Sequence, residues 1–329
     1  MSEQEAESIS GRFQPLTYAG EAAIRKSLDR VGEATVIVTG MDRPRSVNDP
    51  FTFEDRQAML AAAFPDEFAD GRLRVVGLPD YGYDTGLRAR ALAAFGPSVA
   101  VENPDDPPHR RAEALDSLFK SPSQADVSRA VASWLSEFSS TAPRQALEDE
   151  LDVIFEVRRR YGPGPHLTAD SICTWNGQVL LIERGNAPFR NTLAIPGGIV
   201  DNGEDPFDAA ARELSEETRI SIGDAPMDAR TIKSFSVTPE ARVYGEEGRD
   251  PRGTYIGHAF HFDFSSLPER PRVEPADDAK QAIWHDLSSL KPHELAFDHF
   301  AILHDLTGLQ YPKSSVPEEH DGPQQRRRA

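Results

Sequence analysis

The sequence predicts a two-domain α/β protein, with a doubly wound parallel sheet in the first domain and a mixed sheet in the second. Three observations carry this. From about Ser8 to Phe138, short apolar runs alternate with helical stretches, the order that builds parallel sheets. A charged stretch over residues 144–160, closed by Gly162-Pro-Gly-Pro165, then breaks the alternation. Beyond it, Asn176-Gly177 separates two apolar runs, the strongest short hairpin signal, and a densely acidic helix follows. A chain of 329 residues is long enough for two such domains.

In the first domain, residues 8–140, the runs 36–38, 73–76 and 98–101 read as short buried strands. Residues 21–30, 53–64 and 125–138 read as helices between or after them, giving a Rossmann-like order. Residues 141–165 are expected to form a helical linker ending in a turn. The second domain spans residues 166–311. Runs 170–175 and 178–183 pair across the Asn176-Gly177 turn, strands follow around 231–237 and 255–264, and an amphipathic helix covers 295–307. Residues 312–329 are polar, end Arg-Arg-Arg-Ala and read as disordered. The chain has no internal repeat.

Composition excludes several partners. A formal charge of −18 opposes nucleic acid or an anionic membrane surface, both of which demand clustered Lys and Arg. No apolar run approaches the roughly 18 residues of a membrane helix. The acidic start Met1-Ser-Glu-Gln-Glu-Ala-Glu lacks a secretory layout, and the single Cys173 forbids an intrachain disulfide. Both point to a reducing cytoplasm, with Cys173 acting as a small buried hydrophobe.

The chemistry concentrates in Gly198-Ile-Val-Asp-Asn-Gly-Glu204 and, seven residues on, Arg212-Glu213-Leu-Ser-Glu216-Glu217-Thr-Arg219-Ile220. Asp205-Pro206 is a strong helix start. Glu213, Glu216 and Glu217, at spacings of three and four, share one helix face, and such like charges repel unless a cation neutralises them. Phe207, Ala211, Leu214 and Thr218 fall on another stripe that can face a core. A hard divalent cation held by carboxylates usually carries a substrate phosphate too. Pro196-Gly197-Gly198 ahead of the helix lets backbone approach such a ligand. A lone Glu-x-x-Glu-Glu is most often a solvated face. Here six positions fit one pattern, and at about one in fifteen per residue type the chance match is roughly one in ten million.

That pattern, G-x5-E-x7-R-E-U-x-E-E-x-G-U with U aliphatic, resembles the signature of the Nudix hydrolases. The resemblance implies an α/β/α sandwich with a mixed sheet, binding Mg²⁺ or Mn²⁺ against the diphosphate of a nucleotide derivative. It implies Glu213 and Glu217 as the main metal ligands, and Glu216 as a further ligand or the water-activating base. The Gly197 carbonyl would complete the metal shell, and Arg212 and Glu204 would orient the carboxylates. Arg219 stands where the family has glycine, a position read as a helix C-cap, so its cost is about 1 kcal/mol of local strain.

A second resemblance lies in the first domain. Gly11-Arg-Phe-Gln-Pro15-Leu-Thr17-Tyr-Ala19-Gly20 and Asn48-Asp-Pro-Phe-Thr-Phe-Glu-Asp-Arg56 resemble nicotinamide mononucleotide adenylyltransferases of the nucleotidyltransferase superfamily. The family's (H/T)-x-G-H element reads Thr17-Tyr18-Ala19-Gly20 here, without its final histidine. Its S-x-T-x-[IVL]-R element reads Ser123-Gln-Ala-Asp-Val127-Ser128, without Thr and Arg, although Arg129 is adjacent. Phosphoryl-transfer catalysis depends on such positioned donors and cations. The departures therefore predict an inactive domain kept for nucleotide binding or for structure.

In fusions of these two families the Nudix half typically cleaves ADP-ribose to AMP and ribose 5-phosphate. Arg249-Asp-Pro-Arg252-Gly253-Thr254, Asp277-Asp-Ala with Trp284, and Leu295-Ala-Phe-Asp298-His299 resemble segments of that subgroup. Arg184, Arg190 and Arg252 are candidate phosphate or ribose contacts, with a planar fork suited to phosphate, and a surface ion pair is the alternative for each. Gly198 joins them as a backbone contact to substrate. Tyr255, Phe189 and Trp284 are candidates to stack on adenine, although Trp284 more often packs in a core, and His299 reads as structural. The partner implied is a small-molecule nucleotide. Homodimers are common in the subgroup, so a homodimer is the assembly to look for. Three functions compete: a metal-dependent ADP-ribose pyrophosphatase, a bifunctional adenylyltransferase and hydrolase, and a non-catalytic nucleotide sensor. The intact glutamate set and the absence of a basic DNA-binding module oppose the last.

Overall fold

The computed structural model describes residues 8–101, 111–122, 125–277 and 279–311. The expectation of disorder over 312–329 lies outside these residues. The first half runs β1 (Ser8–Gly11), α1 (Tyr18–Val31), β2 (Ala34–Thr39), α2 (Phe53–Ala63), α3 (Pro65–Ala69), β3 (Leu73–Leu78), α4 (Thr85–Ala93), β4 (Ser98–Val101), α5 (Arg111–Lys120), α6 (Arg129–Phe138) and α7 (Ala142–Tyr161). Its four strands are parallel in the order β3-β2-β1-β4.

Local chemistry explains the elements. Thr17 caps α1 by accepting from the Gly20 N–H, and Gly32 ends it at φ 84°, where glycine carries no steric cost. Thr52 and Asp55 form a reciprocal capping box at the start of α2. Residues 98–101 do form a strand, but at the sheet edge with Val99 40% exposed, not in the interior as the apolar run suggested. The helical stretch 144–160 is α7, and its Leu147, Leu151 and Ile154 sit in the same core as Ile24, Val36 and Leu60. Its Arg158 reaches forward to the carbonyls of Pro251 and Arg252, both at 2.9 Å.

The second half continues β5 (His166–Trp175), β6 (Gln178–Arg184), β7 (Leu193–Ala194), β8 (Gly197–Ile199), α8 (Pro206–Thr218), β9 (Ser221–Ile222), β10 (Ala225–Pro226), α9 (Ala229–Lys233), β11 (Arg242–Tyr244), β12 (Tyr255–Asp263), β13 (Ala279–Asp286) and α10 (His299–Thr307). The sheet is mixed: β12 runs parallel to β5, and the remaining pairs in the order β11-β12-β5-β6-β13 are antiparallel. β7 pairs with β6 and β8 with β5. Asn176 (φ 44°) and Gly177 (φ 83°) make the β5–β6 turn, both in the left-handed region that such a hairpin requires.

Strand alternation builds a core on each face. Cys173, Leu180 and Ile182 point toward α8, where Ala210, Ala211 and Leu214 meet them. Ile172, Val179 and Leu181 point the other way, toward Ile302 and Leu303 of α10. Cys173 is fully buried, and burial pushes its thiol up. The strand expected around 231–237 is not there. Asp228 accepts from the Thr231 N–H and starts the short helix α9, leaving only a bridge between Ser236 and Phe262. The C-terminal helix starts later than expected, at His299, after a 3₁₀ turn over Pro292–Glu294.

Candidate active site

Helix α8 begins where Asp205 accepts from the Phe207 N–H, with Pro206 in the first turn. It ends at Arg219, which adopts φ 43° and ψ 40°, the left-handed cap implied for a position usually held by glycine. Between these ends, Arg212 organises the acidic face. Its Nε and Nη2 donate to Glu204 at 2.9 Å each, and its Nη1 donates to Glu213 at 2.8 Å and Glu216 at 3.0 Å. Its Nη2 also donates to the Ile199 carbonyl at 3.1 Å, tying helix to β8. Hydrogen bonds from Arg212 hold the Glu204 carboxyl down to about 2.

Glu213 and Glu217 turn toward Gly197-Gly198. The Gly197 N–H donates to Glu217 at 3.0 Å. Burial pushes the Glu217 carboxyl up to about 8, with Glu213 and Asp170 adding repulsion. Burial raises Glu213 as well. Asp170, opposite Gly197 in the sheet register, is raised to about 7 by burial, and its Oδ2 is buried with no hydrogen-bond partner among the described residues. A Cβ on Gly198 would run into the Glu213 carboxylate, so glycine is what lets backbone and carboxylate approach.

These groups line a cavity of about 360 Å³, within the range of small-molecule sites. Of the expected residues, the structure gathers Gly197, Gly198, Glu213, Glu217, Arg184 and Arg252 there. Arg212 and Glu204 stand behind the carboxylates. Glu216, half exposed, lies outside the cavity wall. Arg190 is exposed and does not line the cavity, because its neighbours Phe189 (φ 62°) and Asn191 (φ 66°) turn the loop so that Phe189 is buried instead. Trp284 packs in the core with its indole N–H on the Pro271 carbonyl at 3.0 Å, and it is not a base platform. Tyr255 does line the cavity, beneath the Arg252 guanidinium at 4.5 Å. Phe297 has Arg184 at 4.9 Å and Arg252 at 5.4 Å over its ring, and Arg252 is at the same time paired with the buried Asp250, its Nη2 2.7 Å from that carboxylate. His299, expected to be structural, lines the cavity as well; its Nδ1 accepts from the Ile195 N–H at 2.9 Å, and burial pushes it down to about 3.

Sequence reasoning missed Asp170, Arg249, Asp250 and Phe297 as cavity residues. The signal for Asp170 was a lone carboxylate inside the apolar run Ala169-Asp-Ser-Ile172.

The donor chemistry fits a hard cation: the Glu213, Glu217 and Asp170 carboxylates repel one another, with backbone oxygen alongside. As they stand, no three His, Cys, Asp or Glu side chains among the described residues converge on one ion position. Arg212 and the Gly197 amide hold Glu213 and Glu217 instead.

The N-terminal motifs form a joined but self-satisfied cluster. Arg56, fully buried, donates to the carbonyls of Arg12, Thr39 and Gly40. Arg12 and Arg43 both pair with Asp49, and Arg43 also with Asp80. At Gly20, in the histidine's place, a Cβ would meet Leu16 at 3.0 Å and Phe13 at 3.4 Å. Ser128 serves as the cap of α6, accepting from the Val131 N–H.

Fold and site together define the class: a mixed-sheet α/β domain that sets an acidic helix against a cavity lined by carboxylates and arginines. A family model described as NUDIX domain matches residues 164–306. An ADP-ribose pyrophosphatase of Methanocaldococcus jannaschii is 37% identical over 141 residues, covering 43% of this chain and 72% of that protein. The chain belongs to the NUDIX family. An ADPR responsive transcriptional repressor, NtrR, of Acinetobacter baylyi is 29% identical over 147 residues, covering 43% of this chain and 52% of its own. In overall fold the chain is similar to a bifunctional NMN adenylyltransferase/ADP ribose pyrophosphatase from Francisella tularensis, with TM-score 0.76 and 21% identity over 91% of this chain and 97% of that one. The Francisella protein has also been solved with AMP and a Mn ion. Divalent metals are general in the family.

Proposed function

We propose that this protein is a metal-dependent pyrophosphohydrolase that cleaves ADP-ribose, or a close nucleoside diphosphate derivative, to AMP and ribose 5-phosphate. One observation carries the reading: a single cavity of about 360 Å³ is lined by the Glu213, Glu217 and Asp170 carboxylates together with Arg184 and Arg252. Such a lining offers cation ligands and anion contacts in one site. Glu213, Glu217, Glu216 and the Gly197 carbonyl would hold Mg²⁺ or Mn²⁺, which when bound supplies charge neutralisation and an activated water. Arg212, through Glu204, Glu213 and Glu216, keeps the carboxylates oriented. Arg184 and Arg252 hold the diphosphate oxygens, and Tyr255 and Phe297 offer aromatic faces. Water loses a proton to a site carboxylate, Glu216 by the resemblance, as its oxygen bonds to one phosphorus; the bridging P–O bond breaks, and the bridging oxygen leaves on the other phosphate.

By this reading residues 166–311 are the hydrolase domain, residues 8–140 the transferase-like domain, and residues 141–165 connect them. The test is a hydrolysis screen with Mg²⁺ against ADP-ribose, NADH, diadenosine polyphosphates and sugar nucleotides. Preferential release of AMP from ADP-ribose supports the proposal; no turnover of any of them refutes it. The bifunctional reading is favoured by the Gly11–Gly20 and Asn48–Arg56 resemblance and by likeness of fold to the Francisella protein. Incubation with ATP and nicotinamide mononucleotide should yield no dinucleotide, since Gly20 replaces the histidine and Arg12 and Arg43 are committed to Asp49.

A further inference from the structure

The two halves of the chain enclose a second cavity of about 220 Å³, bordered by Asp42, Asp80 and Tyr83 on one side and Arg249, Asp298 and Tyr311 on the other. Arg249 and Phe297 line this cavity and the active-site cavity alike, so they form the wall between the two. Arg249 is held by a bidentate pair, with Nε and Nη2 each 2.9 Å from the Asp298 carboxylate. Both side chains are buried, at 7% and 9% exposure, so the pair is shielded from solvent. Asp298 Oδ2 also accepts the hydroxyl of Tyr83 from the first half. A second hold comes from the same side: Asn48 Nδ2 donates to the Gly248 carbonyl, one residue before Arg249, at 2.8 Å. On the active-site face, a Cβ at Gly257 would lie 3.1 Å from both Arg249 Nη1 and Asp170 Oδ2, which places the guanidinium beside that carboxylate.

We infer that Tyr83 and Asn48 are positioning residues for the hydrolase site: from the N-terminal half they fix Arg249, through Asp298 and the Gly248 carbonyl, in the wall of the active-site cavity. The inference rests on the reading of that cavity as the hydrolase site. It gives the first half a task that needs none of its lost transferase groups. Tyr83 does not line the active-site cavity; its hydroxyl reaches that wall through Asp298, which holds Arg249.

Tyr83→Phe removes the hydroxyl and keeps the ring that packs 4.9 Å from Tyr244. A charge-assisted hydrogen bond lost at one remove should raise KM for ADP-ribose by about fivefold and leave kcat within about twofold. Asn48→Ala should act in the same direction. If Tyr83 works through Arg249, then on an Arg249→Lys background Tyr83→Phe should add less than about twofold. Hydrogen exchange supplies a readout independent of turnover: amides of residues 246–250 should exchange faster in Tyr83→Phe than in the unaltered chain. Unchanged exchange there, an unchanged KM, or a full fivefold effect added to Arg249→Lys would each overturn the inference. Failure of the unaltered chain to hydrolyse ADP-ribose would refute the proposed function instead, and the exchange measurement would still decide this one.

Discussion

Glu150 on α7 is a carboxyl caught between the two halves, only 7% exposed and with no hydrogen-bond partner for Oε1 among the described residues. Burial pushes it up to about 8 from 4.5, partly offset by the backbone N–H groups of Val47 and Phe189, with Asp250 nearby opposing ionisation. The folded carboxyl therefore holds its proton where the unfolded one has lost it. Its contribution to stability is fully present below 4.5 and is lost as pH rises to about 8. That interval, at about 1.4 kcal/mol per pH unit, sets a ceiling of roughly 5 kcal/mol. Gln has the shape of the protonated acid, so Glu150→Gln should behave like the wild-type chain at low pH and escape the loss at high pH. In urea denaturation followed at about pH 5 and about pH 8.5, the variant should gain roughly 4 kcal/mol on the wild type between the two. Parallel pH profiles for the two proteins would refute the argument.

Three further predictions concern the site. Glu217→Gln keeps an acceptor for the Gly197 N–H, so the thermal midpoint should hold while ADP-ribose turnover with Mg²⁺ falls by about a hundredfold or more; retention of most activity would remove Glu217 from the machinery. Gly198→Ala drives a methyl into the Glu213 carboxylate and should cost about 1–3 kcal/mol in chemical denaturation along with most of the activity. Arg252→Ala should raise KM for ADP-ribose by about tenfold, whereas Arg190→Ala should leave it within about twofold, since only Arg252 lines the cavity. Equal effects from the two arginines in steady-state kinetics would contradict the placement.

The parts of this molecule that follow local rules were legible in the sequence. The Asn176-Gly177 turn, the Asp205-Pro206 helix start and the left-handed cap at Arg219 each depend on a few neighbouring residues, and each forms. The run 231–237 was misjudged because an Asp228 cap outweighs the β-branched and aromatic residues after it. The charged stretch 144–160 looked like a connector because half its surface is polar. What its pattern did not reveal is where Leu147, Leu151 and Ile154 dock. The site divides in the same way. Glu213 and Glu217 share a helix turn and were readable together. Asp170 comes from β5, and Arg249 comes from the loop between β11 and β12. Nothing in local spacing announces that these two meet.

Cys173 is the chain's single cysteine, sealed in β5 between the strand partner Phe262 and the α8 side of the sheet. A thiol so enclosed, and raised by burial, cannot react with an alkylating reagent until the sheet opens. Labelling stoichiometry therefore has one address, and its rate counts the openings of this sheet without any introduced probe. Nucleotides that bind the cavity against β5 and β8 should slow that clock in proportion to their occupancy, converting alkylation kinetics into a ligand-binding measurement that needs no turnover.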